Sequence, residues 1–80
     1  MELDDDYEAR LHGVLRDASA LIEASGRADV ERLIHHNEGP VAMLLLAELL
    51  AKSSGAVPVE LRQRIKHLGW DDDPEWPEGF

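Results

Sequence analysis

Cysteine is absent from this 80-residue chain, which removes disulfide frameworks, Cys-based zinc sites and thiol nucleophiles together. Aromatic residues make up only 5%, and all of them stand near the ends: Tyr7, Trp70, Trp76 and Phe80. A core built between Glu8 and Leu68 must therefore be aliphatic. No stretch alternates apolar and polar residues with β-branched enrichment, so strands are not expected. There is no internal repeat, no Gly-rich phosphate loop, no nucleophile elbow and no HExxH pair. The start also lacks positive charge. Met1 is followed by Glu2, Asp4, Asp5 and Asp6, the reverse of a secretory or transit signal, and a cytoplasmic location is the expectation.

What is present is a soluble-type composition, with 44% hydrophobic and 31% charged residues. It is too apolar for a disordered chain and short enough for one domain with a modest core. The formal charge is −9, and its placement is informative. Glu2, Asp4, Asp5, Asp6 and Glu8 open the chain, and Asp71, Asp72, Asp73, Glu75 and Glu78 close it. Between them the acids and bases nearly cancel. Such a molecule repels nucleic acid and anionic membranes and attracts basic partners.

The stretch Gly39–Lys52, GPVAMLLLAELLAK, is the most apolar of the chain, and between Val41 and Ala51 only Glu48 is polar. Spanning a bilayer takes about 20 apolar residues, so this shorter run reads as a central helix wrapped by its neighbours. Leu45 belongs to that wrapped core on this reading, and Leu45→Asp is expected to abolish folding.

Four helices are expected, at about 5–25, 28–36, 40–53 and 58–68, giving an all-α domain over residues 1–70 and an irregular acidic tail over 71–80. The first begins where Asp4 to Asp6 cap and complement the helix dipole. Its stripe is Tyr7, Leu11, Val14, Ala18, Leu21 and Ser25, widened by Leu15 and Ile22, and Ser25-Gly26 should close it. Gly39-Pro40 and Val57-Pro58 each start a new helix. Leu61, Ile65 and Leu68 form the last stripe, and a left-handed Gly69 should end it, placing Trp70 in a Schellman motif. Short connections fit a compact bundle or an orthogonal array.

Chemistry-bearing constellations are sparse. His35, His36 and Glu38 lie close in sequence, but adjacent helical residues point about 100° apart and no second ligand pair supports a metal site. They fit a solvated helix end, where His suits the negative pole of the dipole. His12 and His67 stand alone. Arg62, Arg64 and Lys66 form a small basic face expected to pair with the acidic tail. Glu48 precedes Lys52 by four residues, the favourable order for a helical ion pair, and could instead offer its carboxylate to a partner. No catalytic set, cofactor or metal is expected. The candidate partner-binding residues are the marginal acids Asp4, Asp5, Asp6, Glu8, Glu38, Glu48, Asp71, Asp72, Asp73 and Glu75, together with Trp76. Trp76 could be a hot-spot anchor or a lid folded onto the bundle.

The segment Asp29–Trp70 resembles the MafI-like immunity proteins of bacterial polymorphic toxin systems. The resemblance lies in a short helix ending in a Glu-containing break, Asn37-Glu38-Gly39, then an Ala/Leu-rich helix over Val41–Leu50, then a loop and a helix carrying Leu61, Ile65 and Leu68. It implies a non-catalytic cytoplasmic protein that binds and neutralises a cognate toxin domain, frequently a nuclease with a basic substrate cleft. The acidic ends suit that partner independently. An acidic adaptor presenting its C-terminal tail to a larger assembly is the alternative. Nothing in the sequence chooses between monomer and dimer.

Overall fold

The computed structural model describes residues 5–53, 57–69 and 76–77. Among them the chain forms four α-helices and no strand: α1 (Asp5–Ala18), α2 (Ala24–His35), α3 (Gly39–Lys52) and α4 (Val59–Leu68). A single 3-10 turn, Ser19–Leu21, links α1 to α2. α3 packs against all three other helices, most extensively against α2, and α1 also packs along α4.

The core is aliphatic throughout. Leu11, Val14, Leu15 and Ala18 of α1 meet Val30 and Ile34 of α2, Ala42, Met43, Leu46, Ala47 and Leu50 of α3, and Leu61, Ile65 and Leu68 of α4. No polar or charged residue is buried among the described residues. Each fully buried Leu or Ile contributes about 1.5–3 kcal/mol of transfer free energy, so the few that are sealed dominate the stability of so short a chain.

The expected first helix was too long. The stripe holds from Leu11 to Ala18 and then the helix tightens, because the Ser19 hydroxyl donates to the Arg16 carbonyl at 2.7 Å and competes with continued α-helical bonding. Ile22 and Glu23 are extended, and α2 starts with the amide of Arg27 donating to the Glu23 carbonyl at 3.0 Å. Gly26 consequently lies inside α2 and is buried. A Cβ on it would come within 3.0 Å of Leu49 Cδ1, so this glycine serves the α2–α3 approach, not a helix end.

Among the described residues the left-handed one is Asn37, with φ of 60°. The amide of Glu38 donates to the Leu33 carbonyl at 2.9 Å and that of Asn37 to the Ile34 carbonyl at 3.1 Å, which is the Schellman closure of α2. Asn tolerates this conformation better than other non-glycine residues. Gly69, where such a closure was expected, has φ of −100° and ψ of −153°, an extended backbone open to any residue. Its lack of a side chain serves packing instead: a Cβ there would lie 3.0 Å from the Trp76 ring and 3.3 Å from Met43 Cβ. The Schellman role given to Trp70 and the turn given to Ser54-Gly55 fall outside the described residues.

Tyr7 knits three helices together. Its hydroxyl donates to the carbonyl of Leu68 at the end of α4, where no intrahelical donor is available. Its ring lies on Gly39, whose missing Cβ would stand 2.8 Å from the ring and 3.0 Å from Leu11 Cδ1. Burial raises the Tyr7 phenol above its ordinary 10.0, since the charged form is disfavoured away from water.

Candidate functional site

α3 is apolar nearly all round, yet three helices cover only one side of it. Its inner face, Ala42, Met43, Leu46, Ala47 and Leu50, is sealed. The outer face follows the spacing Val41, Leu45, Glu48, Lys52. Val41 is 36% exposed, Leu44 and Leu45 are half-buried, and Glu48, Ala51 and Lys52 are exposed. Leu45, expected in the wrapped core, is thus at its margin, and the residue sealed beneath it is Leu46. A strip of aliphatic surface with one carboxylate near its middle is left open to solvent, on an element anchored by its other side.

The strip continues into a groove of about 340 Å³ at the start of α2. Leu21, Ile22 and Leu49 form its apolar walls, and Glu23, Asp29 and Lys52 its charged edge. The break at Ile22 and Glu23 lies in the wall of this groove, where Leu21 and Ile22 pack against the core with one side left open.

Carboxylates on this side differ from those of α1. Asp6 is held by Arg10 at 3.0 Å and Glu8 lies 3.7 Å from His12, so two of the sequence candidates are engaged within their own helix. Glu38 and Glu48 are exposed, and among the described residues neither forms an ion pair. The ion pair expected between Glu48 and Lys52 is therefore not made. Ten helical residues separate the two acids by about 15 Å along α3, with Val41 and Leu45 between them. An aliphatic strip with one unengaged carboxylate before it and one within it is suited to a partner that combines apolar contact with Lys or Arg.

The other sequence candidates are dispersed. Asp4, Asp71, Asp72, Asp73 and Glu75 lie outside the described residues, and Asp5 is placed only as the first residue of α1. Trp76 is half-buried and packs on the core over Gly69, which is the lid arrangement. Arg64 bonds Asp17 of α1 at 2.8 Å, so its partner is an interhelical acid where the tail had been expected. His12 does not stand alone, because its ring centre lies 5.8 Å from that of His35 across the α1–α2 seam. Among the described residues no three His, Asp or Glu side chains converge as metal ligands, and no helix is long and apolar enough to cross a membrane.

Sequence reasoning placed the acids of this face but not its partial openness: Leu21, Ile22, Leu45 and Leu49 pack against the core as expected, but only half-buried, and Val41 is exposed. One signal was available. Three short helices cannot enclose a fourth on every side, so an all-round apolar helix in 80 residues must leave a face uncovered. No protein-family model, curated protein or solved structure matches the chain.

Proposed function

We propose that the chain is a non-catalytic binding protein that neutralises a cognate toxin domain, a basic nuclease in the reading that fits its charge best, by docking the outer face of α3 onto it. The observation that carries this reading is the exposed strip from Val41 to Lys52, with Glu38 just before it and Glu48 within it, both unengaged. The resemblance of Asp29–Trp70 to MafI-like immunity proteins supports the toxin-directed form of the reading, since that segment contains the strip.

The mechanism follows from the chemistry of the two surfaces. A nuclease domain presents Lys and Arg to phosphates, and Glu38 and Glu48 can take phosphate places while Val41 and Leu45 supply apolar contact that a nucleic acid backbone does not. α3 is about 21 Å long, and a strip about 10 Å wide along it offers roughly 200 Å², against about 800 Å² per partner in a standard interface. The contact therefore extends over the groove at Leu21 and Ile22. A net charge of −9 accelerates encounter with a basic domain and makes the on-rate fall with salt.

An adaptor that presents Trp76 in an extended tail is less favoured, because the Trp76 ring lies over Gly69 and packs against the core. Co-expression with the product of the neighbouring gene tests the proposal. Protection from that product's toxicity, together with its loss in Val41→Arg and Glu48→Lys chains that stay folded, is the expected result. Absence of both complex and protection overturns it.

A further inference from the structure

The seam between α1 and α4 contains a second depression, of about 400 Å³, lined by those two helices alone. Ala9 and Gly13 line its floor above Val14 and Leu68, which are themselves buried in the core, while Arg10, Arg64 and His67 stand around it. On a chain of net charge −9, three nitrogen-bearing side chains gather at this one groove, Arg10 paired with Asp6 at 3.0 Å and Arg64 with Asp17 at 2.8 Å.

Two details make this more than a gap between helices. Gly13 occupies the middle of α1, where glycine is the poorest helix former after proline. A Cβ there would meet nothing closer than Arg64 Nη2 at 3.9 Å, so packing does not require glycine as it does at Gly26 and Gly39. The consequence of its missing side chain is open floor. Arg64, in turn, is fixed from outside the groove: its Nη1 donates to Asp17 Oδ2 at 2.8 Å, leaving Nη2 above that floor. An exposed ion pair of this kind adds little stability; its effect is to hold one guanidinium edge and present the other.

A guanidinium so held is a carboxylate acceptor site by geometry, since it offers paired donors in a rigid plane. Along α1 the lining residues run from Ala9 to Val14, about 8 Å of helix. That length is too short to seat a docked helix and matches one small ring system. The volume likewise falls at the lower end of the range of small-molecule sites.

We infer that the α1–α4 seam binds a small organic carboxylate, its apolar body on Ala9 and Gly13 above the buried Val14 and Leu68 and its carboxylate on Nη2 of Arg64, with Arg10 and His67 at the edge. This site shares no residue with the α3 face, so each stands or falls without the other.

Titration of the 15N-labelled full chain with 2-naphthoate, followed by amide NMR shifts, tests the inference, with 2-naphthamide as the neutral probe of the same shape. Saturable shifts centred on Gly13, Val14 and Leu68 are expected with the carboxylate, and binding of the amide should be roughly ten-fold weaker or less. Gly13→Leu fills the floor while improving helix propensity, so a folded variant that no longer binds is expected. Arg64→Gln should bind the carboxylate no better than the amide. Equal binding of the two probes, unchanged binding in Gly13→Leu, no saturation at millimolar probe, or shifts centred elsewhere would each overturn it.

Discussion

Leu45 and Leu46 are adjacent, chemically identical and part of the same helix, yet one is half-buried at the rim of α3 and the other is fully sealed. The inner face of α3 holds the other three helices together, and the outer face is left as aliphatic surface among unengaged carboxylates. Apolar composition therefore fills two roles on this helix, and only the 100° step between successive residues separates them. A residue's contribution here follows from which side of α3 it occupies, more than from what it is.

The comparison breaks most sharply on the inner side. Leu46→Asp buries a charge among Leu and Ile side chains and leaves a misfilled space, at a cost of about 3–5 kcal/mol or more. A domain of this length has about 4–12 kcal/mol in total, so loss of helical circular dichroism at 25 °C is expected. Retained native signal and an unchanged urea midpoint would refute the assignment of the two faces. Gly39→Ala comes next. Its Cβ would overlap the Tyr7 ring at 2.8 Å, forcing α1 and α3 apart at a cost of about 1–3 kcal/mol, read from the urea midpoint.

Asn37→Ala should lose about 1 kcal/mol because alanine resists φ of 60°, whereas Asn37→Gly should lose nothing; equal loss in both would mean that the side chain matters and the backbone does not. Tyr7→Phe removes the bond to the Leu68 carbonyl, about 0.5–1.5 kcal/mol. It should also change the alkaline limb. Because the folded phenol is raised above 10.0, the native state holds that proton more tightly than the unfolded chain does. Its stabilisation is present below pH 10 and disappears as pH climbs through the raised value. The Phe variant should show a flatter decline in stability there, measured by urea melts across the alkaline range. Smallest in stability are Val41→Arg and Glu48→Lys, within about 0.5 kcal/mol of the parent, although they carry the largest expected loss of partner binding.

Several features were legible without coordinates. The breaks at Asn37–Pro40 and before Val59, the stripes of α1 and α4, and the central position of α3 all follow from spacing and from proline's restriction on its neighbours. Glycine was harder to interpret. Gly26 and Gly69 were expected as left-handed caps and Gly39 as part of a helix start, yet all three stand where Leu49, Trp76 and Tyr7 come within 3.0 Å of the place a Cβ would take. Close approach is a property of two segments, and a single segment carries no mark of it.

The candidate face divides in the same way. Its acids could be named from the sequence because a charge is exposed wherever it stands in so small a protein, so Glu38 and Glu48 were candidates from the start. Its leucines could not, because an aliphatic residue serves equally in a core or on a binding surface. Local order decided that there would be four helices, an aliphatic interior and acidic margins, since propensity, capping and periodicity act within a few residues. Which side of α3 would be covered, which acids would find partners on their own helix, and where Arg64 would stand over Gly13 were settled by how α1, α2 and α4 share the limited surface of one helix. Three short helices seal one face and no more, and the rest of α3 remains open.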